Sequence, residues 1–250
     1  MDVQIYNDLD ALKSSAAQEI AKQIRENPYI RLGLPTGGTP VMVYQELVRL
    51  HREENLDFQH VTTFNLDEYI GLAPDHPCSY RYFMDDNLFN HINIPQNQIH
   101  IPDGMAEDPL EECASYERAL AEVGGIDLQV LGIGQNGHIG FNEPGTPFHS
   151  LTHVVDLTPS TRKANARFFE NEDLVPHKAI SMGIKTIMQA RKILLLAIGE
   201  SKSEVLYKAL YGPITPEVPA SVLQLHPNLI VMADRDAAQG ILANTNIEVR

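Results

Sequence analysis

Apolar residues along this chain follow two alternating rhythms. Short strand-like runs stand at 3–6, 29–34, 60–66, 126–131, which carries β-branched residues, and 193–198, the most apolar of all. Each has the length and composition of a buried strand. Between them, apolar residues return every three or four positions. Leu9, Leu12, Ala16, Ile20 and Ile24 share one helical face and predict a helix over 8–26, capped by Asn7 or Asp8. The same period predicts helices over 41–50, over 79–89 with Ser79 as cap, and over 107–123, 184–190 and 237–242. Shorter strand-like patterns occur at 98–101, 152–157, 222–225 and 229–232, with a short element at 180–183. Strand and helix alternate throughout, which predicts an α/β fold: a doubly wound, mainly parallel sheet of Rossmann-like type with helices on both faces.

Composition leaves that picture intact and narrows the function. The chain has 250 residues, 43% of them hydrophobic, with no Pro/Gly/Ser-rich linker, internal repeat or low-complexity tract. A single domain over 1–250 is expected. The formal net charge is −14, which argues against nucleic-acid binding, because that depends on Lys and Arg neutralising many phosphates. A phosphorylated small molecule would have to be held by local donors. Cys78 and Cys113 lie far apart with no C-x-x-C spacing, so neither a disulfide framework nor a zinc site is indicated. The first residues show no basic segment followed by an apolar one, and no stretch approaches bilayer length. A cytoplasmic protein without a membrane partner is expected; its oligomeric state is left open.

Candidate chemistry gathers where predicted strands end, the edge at which open α/β sheets place ligands. After the strand at 126–131 comes a loop with Gly132, Gly134, Gly137, Gly140 and Gly145, and among them Asn136, His138, Asn142 and Glu143, groups suited to proton chemistry. Gly132, Gly134 and Gly137 match a dinucleotide fingerprint in spacing, but Pro144 prevents the long helix that motif requires. After the strand at 29–34, Gly37-Gly38-Thr39-Pro40 reads as a helix start with Thr39 as N-cap, either an ordinary turn or an anion site. No Lys follows the glycines as in a Walker loop. Asp67 and Glu68 leave the strand at 60–66 either as a solvated acidic turn or as a general base with a neighbour that raises its pKa. Their adjacent side chains project differently and no His/Asp/Glu cluster accompanies them, so no metal is expected. Arg162, Lys163 and Arg167 form a basic cluster that is either a solvated face or an anion site. Ser201 and Glu204 form a capping-box pattern that puts Lys202 in a first helical turn, where a cation is disfavoured unless an anion sits nearby. The three loops suit a phosphorylated small molecule whose chemistry is proton transfer, with no redox cofactor.

Three long motifs in order, Leu32-Gly33-Leu34-Pro35-Thr36-Gly37-Gly38-Thr39-Pro40, Phe64-Asn65-Leu66-Asp67-Glu68-Tyr69 and the segment 132–144, resemble the glucosamine-6-phosphate deaminase (isomerase) family. The likeness runs on through 160–169 and covers nearly the whole chain. It implies conversion of glucosamine 6-phosphate and water to fructose 6-phosphate and ammonia, without a cofactor, in amino-sugar catabolism. It further implies that His138 opens the pyranose ring with Glu143 orienting its imidazole. Asp67 would move a proton from C2 to C1, and Gly37, Gly38, Thr39, Arg167 and Lys202 would bind phosphate.

Two departures qualify the resemblance. Many relatives carry Asp where this chain has Asn136, which cannot ionise and is limited to hydrogen bonding. Allosterically controlled relatives use basic residues after the Pro144 loop and a longer carboxyl terminus. This chain has His153 and Val155 there and stops at Arg250, so weak or absent activation by N-acetylglucosamine 6-phosphate is expected. The alternative is a 6-phosphogluconolactonase-like hydrolase, which needs no carbon base. A non-catalytic sugar-phosphate sensor would need a DNA- or partner-binding segment, and residues 1–30 offer no basic helix-turn-helix pattern.

Overall fold

A computed structural model describes the whole chain except Arg167, Phe168 and Glu170. The expected place of Arg167 in the site therefore falls outside the described residues. The elements run β1 (Asp2–Tyr6), α1 (Leu9–Glu26), β2 (Arg31–Leu34), α2 (Gly38–Glu54), β3 (Thr62–Asn65), β4 (Asp67–Tyr69), α3 (Tyr80–Asn87), β5 (Ile99–His100) and α4 (Pro109–Glu122). Then follow β6 (Leu128–Gly132), β7 (His153–Asp156), α5 (Pro159–Asn165), β8 (Lys178–Ser181), α6 (Ile184–Met188), β9 (Lys192–Ala197), α7 (Ser203–Tyr211), β10 (Leu229–Asp234) and α8 (Gln239–Asn244). Polar caps set two starts as expected, with Asp8 accepting from Ala11 N–H and Ser79 from Tyr82 N–H. Asp108, not foreseen as a cap, accepts from Leu110 and Glu111 N–H at the start of α4.

Seven strands form one parallel sheet in the order β1-β10-β9-β6-β2-β3-β5. The fold is thus the doubly wound, mainly parallel α/β architecture. Successive side chains of a strand point to opposite faces, and the core divides accordingly. Leu194 and Leu196 of β9 join Leu12, Ile20, Tyr44 and Leu47 of α1 and α2 on one face, whereas Ile193 and Leu195 join Tyr116, Leu206 and Ile241 of α4, α7 and α8 on the other. Full burial of each such side chain contributes about 1.5–3 kcal/mol. Among the described residues, no helix is long and apolar enough to cross a membrane.

The chain leaves β2 on one side of the sheet toward β3 and β5 and returns through β6 on the other. The crevice between the carboxyl ends of β2 and β6 is therefore the topological switch point, where this architecture admits ligands. Three local expectations are corrected. Residues 222–225 are not a strand; they lie in a 3₁₀ helix, Pro219–Leu225, with Ala220, Val222 and Leu223 buried. A short buried apolar run has no period of its own, and Pro219, which lacks an N–H, suits a helical first turn better than a ladder. Asp67-Glu68-Tyr69 is not an exit turn. It is β4, which leaves the parallel sheet to pair antiparallel with β8, itself antiparallel to β7. Nor do Ser201 and Glu204 make a capping box: α7 starts at Ser203 after a 3₁₀ turn Glu200–Lys202, and Glu204 pairs instead with Lys208 one turn on.

Candidate active site

At the end of β2 the chain turns through Pro35 to Gly38 into α2. Gly37, with φ 102°, is the N-cap, so the helix begins at Gly38 and Thr39 lies inside it rather than capping it. Pro40 falls in the first turn, where its missing N–H has no partner to lose. A side chain added at Gly37 or Gly38 would meet no atom within 4 Å. The unpaired amides of this turn are thus open to an anion.

From β3 the chain passes Leu66 into β4, where Asp67 stands opposite Ser181. Asp67 is 6% exposed, and no described side chain hydrogen-bonds to its carboxylate. Burial, and after it the charge of Glu68, pushes Asp67 up to about 8. Glu68 is itself lifted to about 7 by burial, although it accepts the main-chain N–H groups of Tyr69 (2.8 Å), Tyr80 (2.9 Å) and Arg81 (2.9 Å). The two carboxylates therefore differ in what they can do. Glu68 is committed to the amino end of α3, whereas Asp67 is a desolvated carboxylate without a donor, the state of a general base.

The glycine loop after β6 supplies a second unit. Asn136 Nδ2 donates to Glu143 Oε2 at 2.6 Å. A carboxylate only accepts, so this bond fixes which end of the amide faces Glu143. The other end, Oδ1, lies 2.7 Å from His138 Nδ1 and must accept from it. The imidazole is thereby held with its proton on Nδ1 and a lone pair on Nε2. Glu143 Oε2 is 3.7 Å from His138 Nδ1, an electrostatic contact, while its Oε1 accepts from the Thr161 hydroxyl. Burial alone would raise Glu143, but His138, Thr161 and Asn136 outweigh it and hold the carboxyl at about 2. The expected orientation of His138 by Glu143 is therefore relayed through Asn136.

The loop is folded against its neighbours at several points. Phe141 N–H donates to Ser181 Oγ at 3.1 Å, Ala220 N–H to Gly137 O at 2.9 Å, and the Asn142 amide to Ile139 O and Met182 O at 2.8 Å each. A Cβ at Gly140 would lie 3.8 Å from Asp67 Oδ2. Asp67 and the histidine loop are thus close neighbours. The Tyr80 phenol donates to the Tyr69 phenol at 3.1 Å, tying the start of α3 to β4. The turn before Lys202 is anchored where Gly199 N–H donates to Asp234 at 3.0 Å, and Val205 in the next helix packs on the glycine loop at Gly137. Tyr80 enters the site without any motif pointing to it, whereas Tyr69 closes the Phe64–Tyr69 motif and Thr161 and Asn165 fall within the likeness over 160–169. Among the described residues, no group of three or more His, Cys, Asp or Glu side chains could hold a metal ion.

Fold and site together define a class: a doubly wound α/β protein with two separate acid/base units at the carboxyl edge of its parallel sheet. The chain belongs to the family described as glucosamine-6-phosphate isomerases/6-phosphogluconolactonase, whose sequence model matches residues 7–231. Within it, the chain is 52% identical to a glucosamine-6-phosphate deaminase of Clostridium perfringens over 239 residues, 96% of this chain and 99% of the relative. A solved monomeric glucosamine-6-phosphate deaminase superposes with a TM-score of 0.94 at 50% identity, over 96% of this chain and all of the other. The 6-phosphogluconolactonase of Trypanosoma brucei has a TM-score of 0.79 at 18% identity, over 96% of this chain and 98% of the other, a likeness of fold.

Proposed function

We propose that the chain, acting as one catalytic unit, converts glucosamine 6-phosphate and water to fructose 6-phosphate and ammonia in the cytoplasm. His138, whose Nε2 carries a lone pair, takes the proton from the anomeric hydroxyl and hands it to the ring oxygen as the bond from C1 to that oxygen breaks, which opens the pyranose and returns the imidazole to its neutral form. Asp67 then removes the C2 proton to give an enol-type intermediate and returns it at C1, leaving an imine at C2. Water adds to that carbon and ammonia leaves. Ring opening and carbon-proton transfer occur at different atoms, which is why two units are needed. The phosphate rests on the amides of Gly37, Gly38 and Thr39, with Lys202 and Arg167 as cations. Neither Cys78 nor Cys113 is in a disulfide, which suits a reducing compartment.

The observation that carries this reading is the buried, raised Asp67 beside the histidine loop. Lactone hydrolysis has no carbon-bound proton to remove and no use for it. Ammonia release from glucosamine 6-phosphate, assayed beside turnover of 6-phosphogluconolactone, tests it. The expected result is ammonia from the first, lost by about 10³-fold or more in Asp67→Asn, in which the base is gone and the fold is kept. Turnover of the lactone with none of the amino sugar would reverse the assignment.

A further inference from the structure

Helix α5 makes two side-chain contacts that the reaction above does not use. In its first turn Thr161, 8% exposed, donates its hydroxyl to Glu143 Oε1 while accepting from Thr158 Oγ1 at 3.0 Å. Four residues later, Asn165 Nδ2 donates to the Tyr69 phenol at 2.9 Å. Tyr69 stands two residues beyond Asp67 on β4, and Phe169 meets its ring edge-on with centroids 5.8 Å apart. Residues four apart lie on one face of a helix. One face of α5 therefore holds the His138–Glu143 unit at one end and the Asp67 strand at the other.

We propose that Thr161 and Asn165 are positioning residues, and that α5 is a bridge fixing the ring-opening pair and the carbon base relative to each other. The proposal rests on the deaminase reading, because only a reaction that uses both units on one substrate gains from fixing their separation. Its physical content lies in Glu143. Asn136 holds Oε2 and Thr161 holds Oε1, so the carboxylate cannot rotate. The amide orientation of Asn136, and through it the proton on His138 Nδ1, follow from that. His138 is the titratable group facing Glu143; Thr161 and Asn136 are neutral. Without the Thr161 hydroxyl, Oε1 loses a donor in a half-buried position, the carboxylate turns, and the imidazole loses its single tautomer.

The test compares Thr161→Val, Thr161→Ser and Asn165→Ala with the wild-type protein in the ammonia-release assay, alongside ¹⁵N NMR of histidine-labelled protein at alkaline pH. Thr161→Val is expected to lower kcat about 10- to 100-fold, with KM within about threefold, the scale of a hydrogen bond to a charged group. His138 should pass from the Nδ1–H form to a mixture. Thr161→Ser, which keeps the hydroxyl, should restore kcat to within about threefold and restore the tautomer. Asn165→Ala should lower kcat about 3- to 10-fold with the His138 signal unchanged, because it touches Tyr69 and not Glu143. A folded Thr161→Val with wild-type kcat and a wild-type His138 signal overturns the bridge. If that variant does not fold, Asn165→Ala at wild-type kcat overturns it instead. Failure of the wild-type protein to release ammonia would sink the deaminase reading separately.

Discussion

The position of His138 depends on an atom that is missing. A Cβ built on Gly134 would fall 2.2 Å from Cε1, 2.3 Å from Nδ1 and 2.4 Å from Nε2 of the imidazole, far inside van der Waals contact with the ring. Gly134 has no positive φ, so alanine is acceptable to the backbone and Gly134→Ala acts by contact alone. To regain an ordinary separation of 3.4 Å the ring must retreat by about 1.2 Å, or leave for another rotamer. Either movement breaks the 2.7 Å bond to Asn136. Displacing a catalytic group by about 1 Å costs roughly 10²-fold. We therefore expect kcat for ammonia release to fall about 100-fold or more. The imidazole is the far end of a side chain that is 28% exposed, so it can swing away at little cost, and stability should change by less than about 1 kcal/mol. Gly132 is the control in the same segment, since a Cβ there meets nothing within 4 Å; Gly132→Ala should stay within about threefold of wild type. Steady-state ammonia release and a thermal melt on both variants decide the matter. A Gly134→Ala protein that keeps more than a third of the wild-type kcat would refute the account of how His138 is held.

Further outcomes follow from the two carboxylates and the amide. In the proposed reaction Asp67 acts ionised, so kcat/KM should rise with pH through its raised pKa; in Glu68→Gln, which removes the neighbouring charge, that acid limb should move to lower pH, as read from a pH–rate profile. In the ligand-free protein, Asp67 and Glu68 both have folded pKa values above their unfolded ones. Their contribution is complete below about pH 4 and is lost as pH rises through about 7 to 8, so the melting temperature should fall across that range, and Asp67→Asn should flatten the decline. Asn136→Leu keeps the volume but breaks the link between Glu143 and His138; kcat should drop about 10- to 100-fold while KM changes little, and an unchanged kcat would remove the relay from the mechanism.

Much of the architecture was legible because the main sheet is parallel and covered on both faces. A strand such as β9, with Ile193 to Leu196 at most 1% exposed, must be apolar throughout, and a covering helix such as α1 must be apolar on one side. Those demands are local and can be read locally. The second sheet is different. Glu68 pairs with Ile180 across more than a hundred residues of chain, and three residues with two acids carry no strand signal of their own. Burial, the property that lifts the Asp67 carboxyl and separates it from a solvated turn residue, comes with that distant pairing. The motifs single out Asp67, Asn136, His138 and Glu143, but they are silent on the contacts that link Asn136 to His138 and Glu143. The sequence says only that Asn136 has no charge to give. The geometry says why an amide serves there: it must donate to Glu143 on one side and accept from His138 on the other, and an ionised carboxylate could do only the second.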